Sequence, residues 1–235
     1  ETFNQHRLND QNYTNLKVIC THLGLDVGED GKTHQCIDYI GVLRNLFGFK
    51  LIIPADPNQT DRVIRYIAGK HGNWFVGMGR SKVPVVTTID GLVYFDEKYR
   101  FEYGKADVLR EGKDGYIITM GCMVPRALQA VALLEGKGLK VGVINMSCPL
   151  VVDSKILQKT IASGLILTME DHHIDTGLGT TVGLYLLENK YTGIFHKLGV
   201  TEYGSSGEPD YLFKKEGMDP QSVVKLISCL LGKAT

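Results

Sequence analysis

Short apolar, β-branched runs alternate with amphipathic stretches almost from one end of the chain to the other. That is the pattern of helices covering the faces of a parallel sheet. The first such unit places strands at Leu16–Cys20, Lys50–Ile53 and Asn73–Met78, with helices at Gln35–Leu46 and Thr60–Lys70. Pro54-Ala-Asp56-Pro57 reads as a turn, since proline fixes φ and Asp56 or Asn58 can accept from the free N–H groups of the following helix. The pattern loosens from Val85 to Leu109, with an edge strand expected at Leu92–Tyr94.

A second unit follows, with strands at Tyr116–Met120, Leu139–Ile144 and Gly164–Thr168. Its helices fall at Pro125–Glu135, Ser154–Ser163, Thr180–Glu188 and Gln221–Leu231. Val124, Ala127, Leu128, Val131 and Leu134 share one helical face and are expected in the core. The fold class is therefore two consecutive α/β domains, residues 1–104 with a largely parallel sheet and residues 105–235 with a smaller parallel or mixed sheet.

Composition narrows the function. Of 235 residues 43% are hydrophobic and 22% charged, a globular balance. The 26 Lys and Arg are cancelled by 26 Asp and Glu, and no basic run occurs, so nothing collects a phosphate backbone and nucleic-acid binding is a poor default. No apolar stretch approaches the roughly 20 residues of a membrane span. Five cysteines are scattered singly with no C-x-x-C. Cys20, Cys122 and Cys229 lie in apolar segments that read as core, and reduced thiols in a cytoplasmic protein are expected. Glu1 to Gln11 is polar and carries no signal-peptide pattern, although the chain opens on Glu rather than Met.

In open parallel sheets ligands bind at the carboxyl ends of strands. The loop after the first strand runs from Thr21-His22 through Val27-Gly-Glu-Asp-Gly-Lys-Thr-His34-Gln35, where glycines admit a close ligand and two imidazoles stand among three carboxylates. It reads as built for a small polar molecule, against the alternative of a solvated surface loop. A metal site of His22, Asp30 and His34 is a weak reading, because the spacing matches no tight zinc pattern.

These residues, with Pro54-Ala-Asp56, resemble the pyrimidine-binding domain of transketolases. Met78-Gly-Arg80-Ser-Lys-Val-Pro84 resembles the end of that domain in transketolases split over two polypeptides. Gly204-Ser-Ser-Gly-Glu-Pro209 and Glu170-Asp-His172…Gly177-Leu-Gly179 resemble the C-terminal domain. The likeness covers nearly the whole chain and is strongest at residues 16–84.

The resemblance implies a transferase of the pentose phosphate pathway that moves a two-carbon ketol unit between sugar phosphates through thiamine diphosphate and Mg2+. It makes His34 the catalytic residue at the donor's reacting end, where an imidazole can give or take a proton near neutral pH. Asp30 would accept from a sugar hydroxyl, while His22 and Arg80 would grip the sugar phosphate. The alternative for His34 is a satisfied loop histidine, and Arg80 by itself reads equally as a surface arginine. Glu29 stays unassigned and Lys32 is expected to be solvated.

The glutamate that activates the cofactor and the aromatic wall for its pyrimidine are expected upstream of Glu1, so cofactor-binding residues stay unassigned and Phe3 reads as core. No Gly-Asp-Gly metal motif is present, and Gly28-Glu-Asp-Gly31 and Gly112-Lys-Asp-Gly115 are not substitutes. Diphosphate and Mg2+ are therefore expected on a partner chain, an N-terminal transketolase subunit. The Asp171-His172-His173 cluster, with Thr176 where the family usually has glycine, is expected to serve structure and association rather than catalysis. Alternatives are part of a 1-deoxyxylulose-5-phosphate synthase, a 2-oxo-acid dehydrogenase beta subunit, or a noncatalytic assembly fragment of the same fold.

Overall fold

The computed structural model describes residues 2–233. Helix α1 (Thr2–Gln11) leads into β1 (Lys17–Cys20). The helical pattern expected over Gln35–Leu46 yields only α2 (Tyr39–Leu43), followed by β2 (Phe49–Ile52), α3 (Pro57–Ala68) and β3 (Asn73–Gly77). The three strands are parallel in the order β1-β3-β2, with Lys17 opposite Trp74 and Phe49 opposite Asn73. Helix α3 begins earlier than its apolar period indicates, because Asp56 caps it by accepting from Gln59 N at 2.7 Å and Pro57 takes the first turn.

The stretch Gln35–Asp38 departs from the expected helix. Over it, Gly24 N donates to Cys36 O at 2.9 Å, and the Gln35 amide donates to Ser205 O at 3.1 Å. These long-range bonds take the place of a first helical turn. The Leu92–Tyr94 strand reduces to a small hairpin with one bridge, Thr87 to Val93, turning at Gly91 (φ 80°).

The second sheet has five strands: β4 (Asp107–Arg110), β5 (Gly115–Thr119), β6 (Val141–Asn145), β7 (Leu165–His173) and β8 (Ile194–Val200). Their order is β4-β6-β5-β7-β8, all parallel except β4, which runs antiparallel to β6. The helices are α4 (Met123–Glu135), α5 (Ser154–Thr160), α6 (Leu178–Glu188), α7 (Pro209–Lys215) and α8 (Pro220–Leu230). Thus the two-domain α/β reading holds, with a parallel sheet followed by a mixed one. The edge strands β4 and β8 and the polar helix α7 are not legible in the pattern; β4 and β8 are mostly half-exposed, so neither shows the solid apolar run of a buried strand. Strand β7 continues past Thr168 to His173 and carries Glu170, Asp171 and His172 within it.

On α4, Val124, Ala127, Val131 and Leu134 are buried and Leu128 half-buried, as its apolar stripe requires. All five cysteines are free thiols. Cys122 is buried and Cys20 half-buried, but Cys229 is exposed, because α8 turns Val223, Val224 and Ile227 inward and leaves position 229 off that stripe. Phe3 is half-buried against the core, with the Arg7 guanidinium 5.2 Å from its ring centre. Among the described residues no helix is long and apolar enough to cross a membrane.

The domains share one interior. A single apolar cluster runs from Phe49, Leu51 and Phe75 of the first sheet to Ile118, Ile144 and Ile166 of the second. Within the boundary lies a polar knot: the Asp107 carboxylate accepts from Gln59 Nε2 (3.2 Å), Asn145 Nδ2 (3.1 Å) and the Tyr99 hydroxyl (3.3 Å). Burial pushes Asp107 up to about 6.

Asp56 does double duty, since its second carboxylate oxygen accepts from Val86 N at 2.8 Å and so ties the interdomain segment to the α3 cap. Asp56→Ala is expected to lower the unfolding free energy by about 2 kcal/mol in urea titration. A loss below about 0.5 kcal/mol would mean that the cap and the tie contribute nothing.

Candidate functional site

Parallel pairing brings the ends of β1, β2 and β3 to one edge of the first sheet, so Thr21-His22, Ile53-Pro54 and Met78-Gly79-Arg80 emerge side by side. The glycine-rich loop departs from there. It forms a short 3-10 stretch at Leu25–Asp30, broken at Gly28 (φ 75°, ψ −121°), and Gly24 and Gly31 on its flanks also have positive φ. Only glycine takes such a sequence of turns without strain.

Asp30 and Arg80 come together. Arg80 Nη1 donates to Val27 O (2.7 Å) and to Glu29 Oε2 (3.0 Å), and it lies 3.9 Å from Asp30 Oδ1. Glu29 is thus the anchor of Arg80, a role its sequence position does not disclose. Its own backbone N–H, and then Arg80, hold its carboxyl below the usual range. All four predicted residues, His22, Asp30, His34 and Arg80, are exposed, as is Lys32.

Neither imidazole makes a hydrogen bond to the carboxylate–guanidinium pair. His22 Nδ1 lies 2.8 Å from Thr21 Oγ1, and His34 Nδ1 lies 3.0 Å from Thr33 Oγ1. Among the described residues neither ring bonds the other, Asp30 or Arg80. A cleft of about 530 Å3 opens at this edge between Pro54–Pro57, Met78, Gly79, Ser81–Val83 and Cys122, and neither histidine lines it. His22 nevertheless sits at φ 65°, a left-handed backbone conformation that is costly for a residue with a Cβ and concentrates at functional sites. Nor do His22, Asp30 and His34 form a metal site: among the described residues no three His, Cys, Asp or Glu side chains are placed to hold one ion.

Residues that sequence reasoning left out hold the loop. Asp26 is fully buried and accepts from Ser81 N at 2.7 Å, which ties the loop to the segment carrying Arg80. From the second domain, Asp171 Oδ1 and Oδ2 accept from Leu25 N (2.7 Å) and Asp26 N (3.1 Å). Ser206 Oγ donates to Glu29 O. Where the loop ends, Ile40 N donates to His172 Nε2 (3.0 Å), and His173 N donates to Ile37 O (2.7 Å). Because Nε2 accepts, the proton of His172 is on Nδ1, which donates to His173 O at 2.9 Å. The ring is neutral, and burial lowers its pKa to about 4.

Glu170 caps α6 by accepting from Leu178 N (2.6 Å) and Gly179 N (2.8 Å). The contacts of Glu170, Asp171, His172 and His173 named here all lie within this chain. Thr176 packs over α2, where a Cβ on Gly41 would lie 2.7 Å from its hydroxyl.

In this arrangement a second α/β domain serves the loop of the first, which defines a two-domain α/β chain with its candidate site at their seam. Residues 2–85 match the family described as transketolase, pyrimidine binding domain, and residues 104–223 match transketolase, C-terminal domain. The chain belongs to the transketolase family.

A protein of Methanocaldococcus jannaschii named as a putative transketolase C-terminal section is 33% identical over 214 residues, which are 91% of this chain and 65% of that protein. An apulose-4-phosphate transketolase subunit of Actinobacillus succinogenes is 27% identical over 218 residues, 92% of this chain and 68% of its own. A solved structure titled split gene transketolase, inactive beta4 tetramer, superposes with a TM-score of 0.81 at 29% identity, over 97% of this chain and 72% of that one. The chain thus spans about two thirds of the length of these curated relatives.

Burial raises Glu170 to about 8 and Asp171 to about 7. In the unfolded chain both ionise near pH 4, so their contribution to stability is complete below that and is lost as pH rises toward 8. His172 acts oppositely, and only between about 6.5 and about 4. Unfolding free energy is therefore expected to fall from pH 6.5 to pH 8, and Glu170→Gln to flatten that slope in urea titrations. An unchanged slope in the variant would assign the effect elsewhere.

Proposed function

We propose that this chain is a subunit of a transketolase that transfers a two-carbon ketol unit from a ketose phosphate to an aldose phosphate, active with a partner that carries the diphosphate-binding domain. The observation that carries this reading is the clamped loop, which presents Asp30 and Arg80 within 3.9 Å of each other at the carboxyl edge of a parallel sheet. The names of the relatives support it: one is a C-terminal section, another is one subunit of a transketolase, and the split-gene structure is titled inactive as a tetramer of beta subunits. That last title also accords with self-association. Five free thiols fit a reducing, cytoplasmic setting.

Each residue has chemistry suited to its part. Asp30, acceptor only while ionised, receives a sugar hydroxyl and disfavours analogues that lack it. Arg80 spends Nη1 on Val27 and Glu29, while its Nη2 and Nε make no bond among the described residues and remain a fork for phosphate. His22 adds a donor to the phosphate. His34, exposed beside Thr33, exchanges a proton with the sugar's terminal hydroxyl or with the developing oxyanion.

Thiamine diphosphate, when bound, supplies the carbanion and the electron sink for carbon–carbon cleavage. The described residues offer no metal-ligand set, and they do not fit the diphosphate and Mg2+. Those are assigned to the partner. The imidazoles, which bond neither Asp30 nor Arg80 in this chain, are expected to be completed with them into one sugar cavity by the partner's surface.

The test mixes this chain with an N-terminal transketolase subunit, thiamine diphosphate and Mg2+, and follows ketol transfer from xylulose 5-phosphate to ribose 5-phosphate. Transfer by the mixture and none by either chain alone is expected, and a silent mixture overturns the enzyme reading in favour of a noncatalytic fragment. In the active assembly His34→Ala is expected to lower kcat about 100-fold while assembly is spared. Arg80→Ala is expected to raise KM about tenfold for phosphorylated sugars and less for free ones. Equal losses on both sugar types would remove the phosphate role.

A further inference from the structure

The second sheet reverses direction at β5, since α4 leads from β5 to β6 on one side and β7 lies on the other. In open α/β sheets such a switch point leaves a crevice beyond the carboxyl ends of the strands, where ligands bind. Here the crevice is filled by the chain itself. What remains of it, between Leu23, Tyr39, Gly79, Gly121, Cys122 and Asp171, is a void of about 10 Å3, scarcely room for one water.

The occupant is the glycine-rich loop. Leu25 N and Asp26 N point at the two oxygens of Asp171, a carboxylate at the end of β7 that receives both amides at once. Gly24, at φ 70°, passes so close that a Cβ there would lie 2.1 Å from Asp171 Oδ2. Only a residue without a side chain can enter.

We propose that Asp171 is a positioning residue: lodged in the ligand crevice of the second domain, its carboxylate fixes the Leu25–Asp30 turn and thereby sets where Asp30 and Arg80 meet the substrate. The inference rests on reading that loop as the sugar site. The path is short. Asp26, whose N–H is held by Asp171, itself accepts from Ser81 N, next to Arg80, and Val27 O accepts from Arg80 directly. Four residues after Asp26 comes Asp30. No sheet or regular helix stiffens this stretch, which is broken at Gly28, so its conformation depends on such anchors. One carboxylate thus constrains both substrate-facing groups without touching substrate.

The test uses Asp171→Asn, which leaves one acceptor and turns an amide donor toward a backbone N–H. Gly24→Ala disturbs the same contact from the loop side should the first variant fail to fold. Asp114→Ala, which removes the acceptor of Lys140 N (2.6 Å) at the amino end of β5, opposite the loop, is the stability control.

In the chain alone, hydrogen exchange at the Leu25 and Asp26 amides is expected to quicken about tenfold or more in Asp171→Asn and in Gly24→Ala, and to stay unchanged in Asp114→Ala. In the complex with the N-terminal subunit, thiamine diphosphate and Mg2+, both loop variants are expected to raise KM for the ketose phosphate about tenfold with a smaller change in kcat. The control is expected to lose thermal stability with KM intact. Unchanged exchange overturns the clasp whatever the activity. Faster exchange with KM within about twofold of the parent overturns the positioning role, as does an equal rise in KM in the control. Absence of ketol transfer by the parent complex overturns the reading of the loop as a sugar site, while the exchange result still decides the clasp.

Discussion

Two backbone amides of a glycine-rich loop end on one buried carboxylate of another domain, and most of what is distinctive in this molecule follows from that contact. A loop with several glycines at positive φ has no ladder to satisfy its N–H groups. The chain supplies the acceptor from Asp171, at the carboxyl end of the longest strand, and buries it against Leu25 and Asp26. Because the answering groups are backbone N–H dipoles rather than cations, the carboxylate keeps a raised pKa despite two good hydrogen bonds. A position is held at the expense of an uncomfortable charge.

The same principle recurs along the seam. Glu170 is met by the first amides of α6, His172 accepts from Ile40 N, and Asp107 is surrounded by Gln59, Asn145 and Tyr99. Buried polar groups satisfied in this way specify one arrangement of the surrounding core, because any shift leaves them unpaired. The continuous apolar cluster supplies the bulk of the attraction between the domains. The polar contacts select its register. Two units whose apolar clusters are shared are thereby held in one arrangement.

What this body presents outward is chemically different from what holds it. Asp30, His22, His34 and Arg80 are exposed on a loop edge, and His22 adopts a backbone conformation that its own side chain disfavours. Reactive, exposed side chains on a rigidly anchored turn are the usual division of labour in binding sites. On the proposed reading these exposed side chains form one face of a sugar cavity that a partner completes.

Neighbours close in the chain suffice to set the succession of buried strands and covering helices, the apolar stripe of α4, the cap at Asp56 and the acidic glycine-rich loop, and all of these are legible in the residues alone. So is the family, since short motifs carry that likeness. The edge strands β4 and β8 are not, because their half-exposed residues mimic loops, nor is the unwinding of Gln35–Asp38, where bonds to Gly24 and Ser205 replace a helical turn. Glu29 as the anchor of Arg80, Asp26 as a buried tie and Asp171 as the holder of the loop emerge only once the chain is folded. The anchoring contacts join residues far apart in the chain, as many as 177 for Glu29 and Ser206. Local pattern carries no information about which distant acceptor a turning backbone will find.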